Sequence, residues 1–312
     1  MKNQKIILTG GAGLVGQNLV SLLRLRGYSN IVVLDKHRIN LKVLHKLHPG
    51  IVAEYADLAE SGDWRGHFNG ADAVVMLQAQ IGGLTYDEFV RNNIDASRLV
   101  LDAIKEYQVP YLVHISSSVV QSVAEDFYTK TKREQEEMVL SSNVKCVVLR
   151  PTLMFGWFDR KHLGWLSRFM KRMPIFPVPG HGRYIRQPLY VGNFCGIIIS
   201  CLEARDYNGV FNITGYERIT YIDIVRTVKR AVGSKALVLH LPYSLFYFLL
   251  WLWSLFDKSP PFTTQQLAAL VGGDEFELID WAVIFGVPYT PFTKAIEETF
   301  NHPVYGNVVL EF

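Results

Sequence analysis

KIILTGGAGLVGQNLVSLLRLRGYSNIVVLD, residues 5–35, holds its pieces in an order that few folds use. Lys5–Thr9 is a short apolar run of the kind that forms a buried parallel strand. Gly10, Gly13 and Gly16 follow as GxxGxxG. Leu14, Leu19, Leu22 and Leu23 then recur at helical spacing up to Gly27, and a second apolar run, Ile31–Leu34, ends at Asp35. Strand, glycine turn, helix, strand and acid within about thirty residues form a dinucleotide-binding unit. The glycines let the backbone approach a pyrophosphate, and the helix N-terminus offers free N–H groups and a partial positive charge. Asp35 is placed to accept hydrogen bonds from ribose hydroxyls. Its charge repels a 2′-phosphate, which favours NAD over NADP. Lys36 and Arg38, close behind, work against that preference.

The rest of the chain continues the alternation. Ile51–Tyr55, Ala71–Leu77, Tyr111–Ile115 and Val144–Leu149 read as strands. Asp87–Tyr107 and Phe127–Leu140 read as helices. Strands alternating with helices predict an α/β fold, a doubly wound parallel sheet of Rossmann type. In such sheets, ligand groups gather beyond the C-terminal strand ends, where Asp57, Gln78, Ser117 and Pro151 fall. After Pro151, Pro, Gly and aromatic residues crowd residues 152–190. Val210–Thr214 and Tyr221–Val232 return to the first style, and residues 236–312 do not. The expected organisation is a nucleotide-binding domain over 1–152 and 187–235. A smaller, discontinuous α/β substrate domain takes 153–186 and 236–312.

Composition narrows the function classes. The chain has 312 residues, 49% hydrophobic and 20% charged, enough for a sizeable core. A net charge of +3 gives no case for nucleic acid as a partner. Three cysteines without CxxC spacing, and an N-terminus that runs straight into a strand, predict free thiols in a cytoplasmic protein. His45 and His48 form HxxH without an accompanying acid or cysteine cluster. They read as a solvated helix face, and no metal is expected.

SSSVVQSVAEDFYTKTK, residues 116–132, is the candidate reaction centre. Tyr128 and Lys132 stand at i and i+4 near a helix start and share a face. A tyrosine working as a base near neutral pH needs roughly 4 kcal/mol of preference for its phenolate. A nearby ammonium and a positive nicotinamide ring are the expected sources. Ser117, at the strand end, offers a hydroxyl to the reacting oxygen. Ser116 and Ser118 are expected to cap the turn. The alternative is an amphipathic helix start whose Lys130, Lys132 and Arg133 face water.

Taken together, TGGAGLVG, the Asp35 strand end, Asp57-Leu58, the serine run, Tyr128-x-x-x-Lys132 and Arg150-Pro151-Thr152 resemble the extended short-chain dehydrogenase/reductase superfamily. The likeness is to its NAD-dependent epimerase/dehydratase branch, the NDP-sugar epimerases. The resemblance implies a bound NAD held by Gly10, Gly13, Leu14, Val15, Gly16, Asp35, Asp57, Leu58, Gln78, Ala79, Asn93, Tyr128, Lys132 and Pro151. It implies Tyr128 as base, Lys132 as its electrostatic partner and Ser117 as the hydrogen-bonding hydroxyl. Arg186, five residues before Val191 in RQPLYVGNF, would hold substrate phosphates. A homodimer packed through the Asp87–Tyr107 and Phe127–Leu140 helices is also implied. The expected activity is epimerisation or related redox chemistry on a nucleotide sugar. Val119 and Val120 stand where a dehydratase wants an acidic pair. Met76-Leu77-Gln78-Ala79 and Asn193 depart from the usual pattern. Only ten residues separate Ser117 from Tyr128, fewer than in typical sugar epimerases. QPLYV resembles the NAD(P)H-binding accessory subunit of respiratory complex I, which suggests a non-catalytic assembly protein as the other class. A 3β-hydroxysteroid-type dehydrogenase is a variant of the first.

Residues 242–256, PYSLFYFLLWLWSLF, carry no charge and fall short of the ~20 residues that span a bilayer. They read as a helix buried between domains or, alternatively, as a peripheral membrane contact. The second reading makes a lipid-linked sugar a substrate candidate.

Overall fold

A computed structural model describes residues 2–123, 125–256, 264–272 and 276–311. Within the expected second domain, 257–263, 273–275 and 312 lie outside the described residues, as does Ala124 in the short connection before Tyr128. The strands in chain order are β1 (Ile6–Thr9), β2 (Ile31–Asp35), β3 (Val52–Tyr55), β4 (Ala73–Met76), β5 (Leu112–Ile115), β6 (Cys146–Pro151), β7 (Met154–Phe155), β8 (Ile175–Pro179), β9 (Ile185–Arg186), β10 (Leu189–Tyr190), β11 (Gly209–Ile213), β12 (Ile219–Thr220) and β13 (Leu237–Leu241). The helices are α1 (Leu14–Leu25), α2 (Arg38–Leu47), α3 (Tyr86–Phe89), α4 (Ala96–Glu106), α5 (Phe127–Leu140), α6 (His162–Arg172), α7 (Val191–Ala204), α8 (Tyr221–Ala231), α9 (Tyr243–Ser254), α10 (Thr264–Gly272), α11 (Trp281–Phe285) and α12 (Phe292–Asn301).

Seven strands form one parallel sheet in the order β11-β6-β5-β4-β1-β2-β3. Because side chains alternate along a strand, both faces of this sheet are apolar. Ile6 and Leu8 pack with Leu19 and Leu23 of α1, Leu41 and Leu44 of α2, and Ile197 of α7. Ile7 points the other way, to Val100 and Ile104 of α4 and Val139 of α5. Each fully buried Leu or Ile contributes roughly 1.5–3 kcal/mol relative to exposure. The strand order reverses between β1 and β4, which places the crevice at their C-terminal ends.

A second apolar cluster joins α6, β8, α8 and α12 around Phe155, Met170, Phe176, Val225 and Ile296. Two segments fall differently from the sequence expectation. α8, expected with the nucleotide-binding part, buries Ile222, Ile224, Val225 and Val228 in this second cluster. Trp281 and Phe285 of α11, expected with the substrate part, are buried in the first cluster. There Trp281 donates its indole N–H to the Thr214 carbonyl (2.9 Å). Helical periodicity gives the apolar face of each helix and leaves its partner open.

His48 also differs. It is buried rather than solvated, 3.1 Å from the Ser21 hydroxyl, and burial lowers its pKa. The cysteines are free thiols, and those of Cys195 and Cys201 are buried in α7. Among the described residues, no helix is long and apolar enough to cross a membrane.

Candidate active site

The three motif glycines do different work. Gly10 has φ +69°, and a Cβ there would lie 2.5 Å from the Gln78 backbone. A Cβ on Gly16 would lie 2.1 Å from the Gly11 carbonyl oxygen, so α1 could not lie this close to the turn. Gly13 is unlike both. Its nearest neighbour would be the Gly10 carbonyl at 3.8 Å, so nothing in the fold demands a glycine there. The space beside it is open, and Gly13 stands at the cap of α1 with no side-chain cap bond and no acid in the first turn. Free N–H groups facing an open cradle fit a diphosphate.

Asp35 braces this cradle. Its carboxylate accepts from the Ala12 N–H (2.9 Å) and the His37 N–H (2.8 Å), which still leaves lone pairs for ribose hydroxyls. The two cations behind it are directed elsewhere. Lys36 donates to Asn92 (2.6 Å), and the Arg38 guanidinium lies 3.6 Å from the Tyr55 ring centroid. The negative side of Asp35 therefore dominates at the ribose position, as NAD requires.

The remaining cofactor candidates divide by exposure. Ala79 is exposed beyond β4, and Leu14 and Val15 are half-buried at the start of α1. Pro151 is buried at the end of β6. Asp57 is ion-paired with Arg91 (2.9 Å), while the Leu58 side chain is buried in the core. Gln78 is buried, accepting from the Thr9 hydroxyl (2.6 Å). Asn93 is fully buried, and its amide is wholly engaged. It accepts from the Gln80 N–H (2.6 Å) and donates to Thr131 of α5 (2.9 Å). It sits in a π-helical turn, Val90–Asp95, between α3 and α4. Both residues position the cradle and α5 relative to each other.

Ser117 and Tyr128 do meet. Ser117 caps a 3-10 turn, Ser118–Gln121, accepting from the Val119 N–H (3.4 Å). Asp126 caps α5, accepting from Thr129, which puts Tyr128 in the first turn. The Ser117 hydroxyl lies near enough to the Tyr128 phenol to act on its pKa. Burial raises that pKa above the usual tyrosine value, the Ser117 hydroxyl lowers it, and the Asp126 charge raises it.

Lys132 corrects one expectation. It is fully buried, 1% exposed, and donates to the Ile115 carbonyl (3.0 Å) and to Gln135. In this arrangement the ammonium does not lower the phenol. Instead burial pushes the amine itself down to about 7, against the upward pull of Glu136. The alternative of a solvated helix start holds for the exposed Lys130 and fails for the buried Lys132. Lys130 pairs with Glu125 (3.3 Å) and Arg133 donates to the Val120 carbonyl (3.0 Å).

Sequence reading missed Glu136. It is buried and accepts from Arg150 Nε (3.0 Å) and from the Ser116 hydroxyl. Ser116 therefore anchors to α5 and does not cap the turn as expected. One turn beyond Lys132, at i and i+4, Glu136 ties the ends of β5 and β6 to α5. The signal was present in that spacing and in the Arg150-Pro151 strand end. His114 on β5 is fully buried, and burial with the Lys132 charge lowers its pKa well below its usual value. Asn193 donates to the Pro288 carbonyl (2.9 Å), a packing role. Arg186 stands on β9. Its charge is felt by His162, Tyr184 and Tyr221.

Residues 6–214 match the NAD dependent epimerase/dehydratase family. The chain belongs to this family. It is 22% identical over 282 residues to UDP-glucose 4-epimerase of Vibrio cholerae, covering 82% of each chain. It is 25% identical over 299 residues to a sterol-4-alpha-carboxylate 3-dehydrogenase, decarboxylating, of Dictyostelium discoideum, covering 85% of this chain and 89% of that one. Its fold is similar to the crystal structure of the Bordetella bronchiseptica enzyme WbmG in complex with NAD and UDP. That match has a TM-score of 0.76 and 17% identity, and covers 100% of this chain and 99% of the other. The cofactor is NAD, for which the open cradle at Gly13 and the braced Asp35 are fitted.

Proposed function

We propose that this member of the family oxidises and re-reduces a secondary hydroxyl of a nucleotide sugar, as an epimerase or a closely related oxidoreductase. The observation that carries the reading is the placement of the Ser117 hydroxyl beside the Tyr128 phenol, beyond the end of β5. Tyr128 takes the hydroxyl proton, and Ser117 holds the substrate oxygen while it does so. Bound NAD+ supplies the hydride acceptor. The buried amine of Lys132 and the Glu136–Arg150 pair fix α5 against the strand ends and hold the phenol in place. Arg186 is the candidate for substrate phosphates. Residues 1–152 and 187–220 with α11 hold the cofactor, and 153–186 and the remainder of 236–312 with α8 cover the substrate. A cytoplasmic homodimer through α4 and α5 completes this reading.

A second reading, dehydrogenation of an apolar secondary alcohol, draws on a specific observation. The connections leaving the C-terminal ends of β4 and β5 carry Leu84 and Val123, which are 93% and 96% exposed. A purely sugar-binding rim has no use for them. One experiment separates the readings. The purified protein is offered UDP- and GDP-sugars, a sterol and a long-chain secondary alcohol, and NADH absorbance and products are followed. An epimeric sugar supports the first reading, and net NADH with the apolar alcohols supports the second. Tight NAD binding with no turnover would overturn both in favour of an assembly role.

A further inference from the structure

We propose that α9 and the outer face of the β8–β13 sheet dock the protein onto one leaflet of an anionic lipid bilayer. The inference stands apart from the reading of the active site. β8 and β13 run parallel, with Ile175 opposite Leu237 and Pro177 opposite Leu239. Residues paired across a ladder share a face. The inner face, Phe176, Val178 and Val238, packs into the second apolar cluster. A sheet with one face in water ordinarily makes that face polar. Here the outer face exposes Ile175, Leu237 and Leu239. Beyond Leu241 the chain passes through Pro242 into α9, YSLFYFLLWLWS, where none of the twelve residues is buried. Phe248 and Trp253 are each about half exposed, at 51% and 52%. The sheet face and the helix that follows it through Pro242 each expose apolar surface of a kind monomers in water do not keep.

The shape of this surface and its charge choose the occupant. A helix that fits a protein groove has one apolar stripe, whereas α9 is apolar on every side. Its length, about 18 Å, is too short to cross a hydrocarbon core of ~30 Å. Immersion in a single leaflet satisfies both facts, with Tyr243, Tyr247, Trp251 and Trp253 suited to the headgroup boundary. The surroundings are positive. No Asp or Glu occurs between Asp159 and Glu203, nor between Asp223 and Asp257. Lys171 and Arg172 precede β8, and Lys235 precedes β13; all three are exposed. A second copy of the chain would bring these like charges together, while an anionic surface complements them.

The test is flotation of the full chain with vesicles of phosphatidylcholine alone or mixed with phosphatidylglycerol. The mixed vesicles should carry the protein, and high salt should release it. Lys171→Gln with Arg172→Gln should weaken partitioning roughly 20- to 30-fold, from about fivefold for each charge. Phe248→Glu with Trp251→Glu should abolish it without moving the thermal midpoint, because both side chains are exposed. Tyr128→Phe should float like the parent, so loss of activity and loss of docking remain separate results. Failure to float with either vesicle overturns the proposal. So does equal binding to both vesicles, or a dimer in sedimentation that the α9 variant dissolves.

Discussion

Helix α5 is among the most charged segments of the molecule, yet it buries Lys132, Gln135 and Glu136. Helix α9 carries no charge, and none of its residues is fully buried. Each runs against the usual relation of polarity to burial. The two departures differ in cost. α5 meets the cost of burying charge by pairing, since Glu136 faces Arg150 and Lys132 faces the Ile115 carbonyl. Such a cluster is held for what it positions rather than for stability. α9 leaves its cost unmet within the chain, which is what a surface awaiting a partner looks like.

The largest effect that tests this contrast is on turnover. Tyr128→Phe should cut the NAD-linked rate by about 10²- to 10⁴-fold while leaving NAD binding and fold unchanged. Next comes the pairing in α5. Glu136→Ala leaves the Arg150 and Lys132 cations without their buried anion and should cost about 3–5 kcal/mol in urea denaturation. Glu136→Gln, which keeps an acceptor, should cost less.

Lys132→Met should go the other way and stabilise the fold by about 1–2 kcal/mol at neutral pH while removing activity. The gain should depend on pH. In the folded chain the amine titrates at about 7, below its usual 10.5, so folding releases a proton between those values. Parent stability therefore rises with pH across that window, and the gain from Met shrinks as pH approaches 10.5. Denaturation curves at the two ends of the window check the sign. The smallest effect belongs to α9. Phe248→Ser should change stability by no more than about 0.5 kcal/mol, as at any exposed position. A loss comparable to that of Glu136→Ala would mean that α9 is part of the core after all, and the contrast would fall.

Much of the nucleotide-binding half was legible in its residues. GxxGxxG, the apolar runs and Asp35 are local signals, because Gly10 and Gly16 answer constraints set by the Gln78 and Gly11 backbone and Gly13 leaves the cradle open. Ser117 and Tyr128 were legible for the same reason. The direction of Lys132 was not. Spacing places it on the Tyr128 face of α5, but whether the amine turns to the phenol or to the end of β5 depends on Ile115 and Gln135, which only the packed structure brings near. Glu136 was hidden because its partner Arg150 comes from another strand. The placement of α8 shows the same limit, since an amphipathic pattern does not name the surface it meets.

The π turn at Val90–Asp95 has a consequence of its own. A π turn holds one residue more than the α-helical path it interrupts. Deleting a single residue there would let the flanking helices join as one regular helix. The flanking helices would keep nearly their present phase, since the π turn spreads its extra residue over the same arc, but the residues inside the turn would change face. Asn93 would swing away from Gln80 and Thr131, and the strut between the cradle loop and α5 would be lost. The chain thus carries a register device. One residue more keeps Asn93 turned to both Gln80 and Thr131, and one fewer would leave a regular helix without that strut.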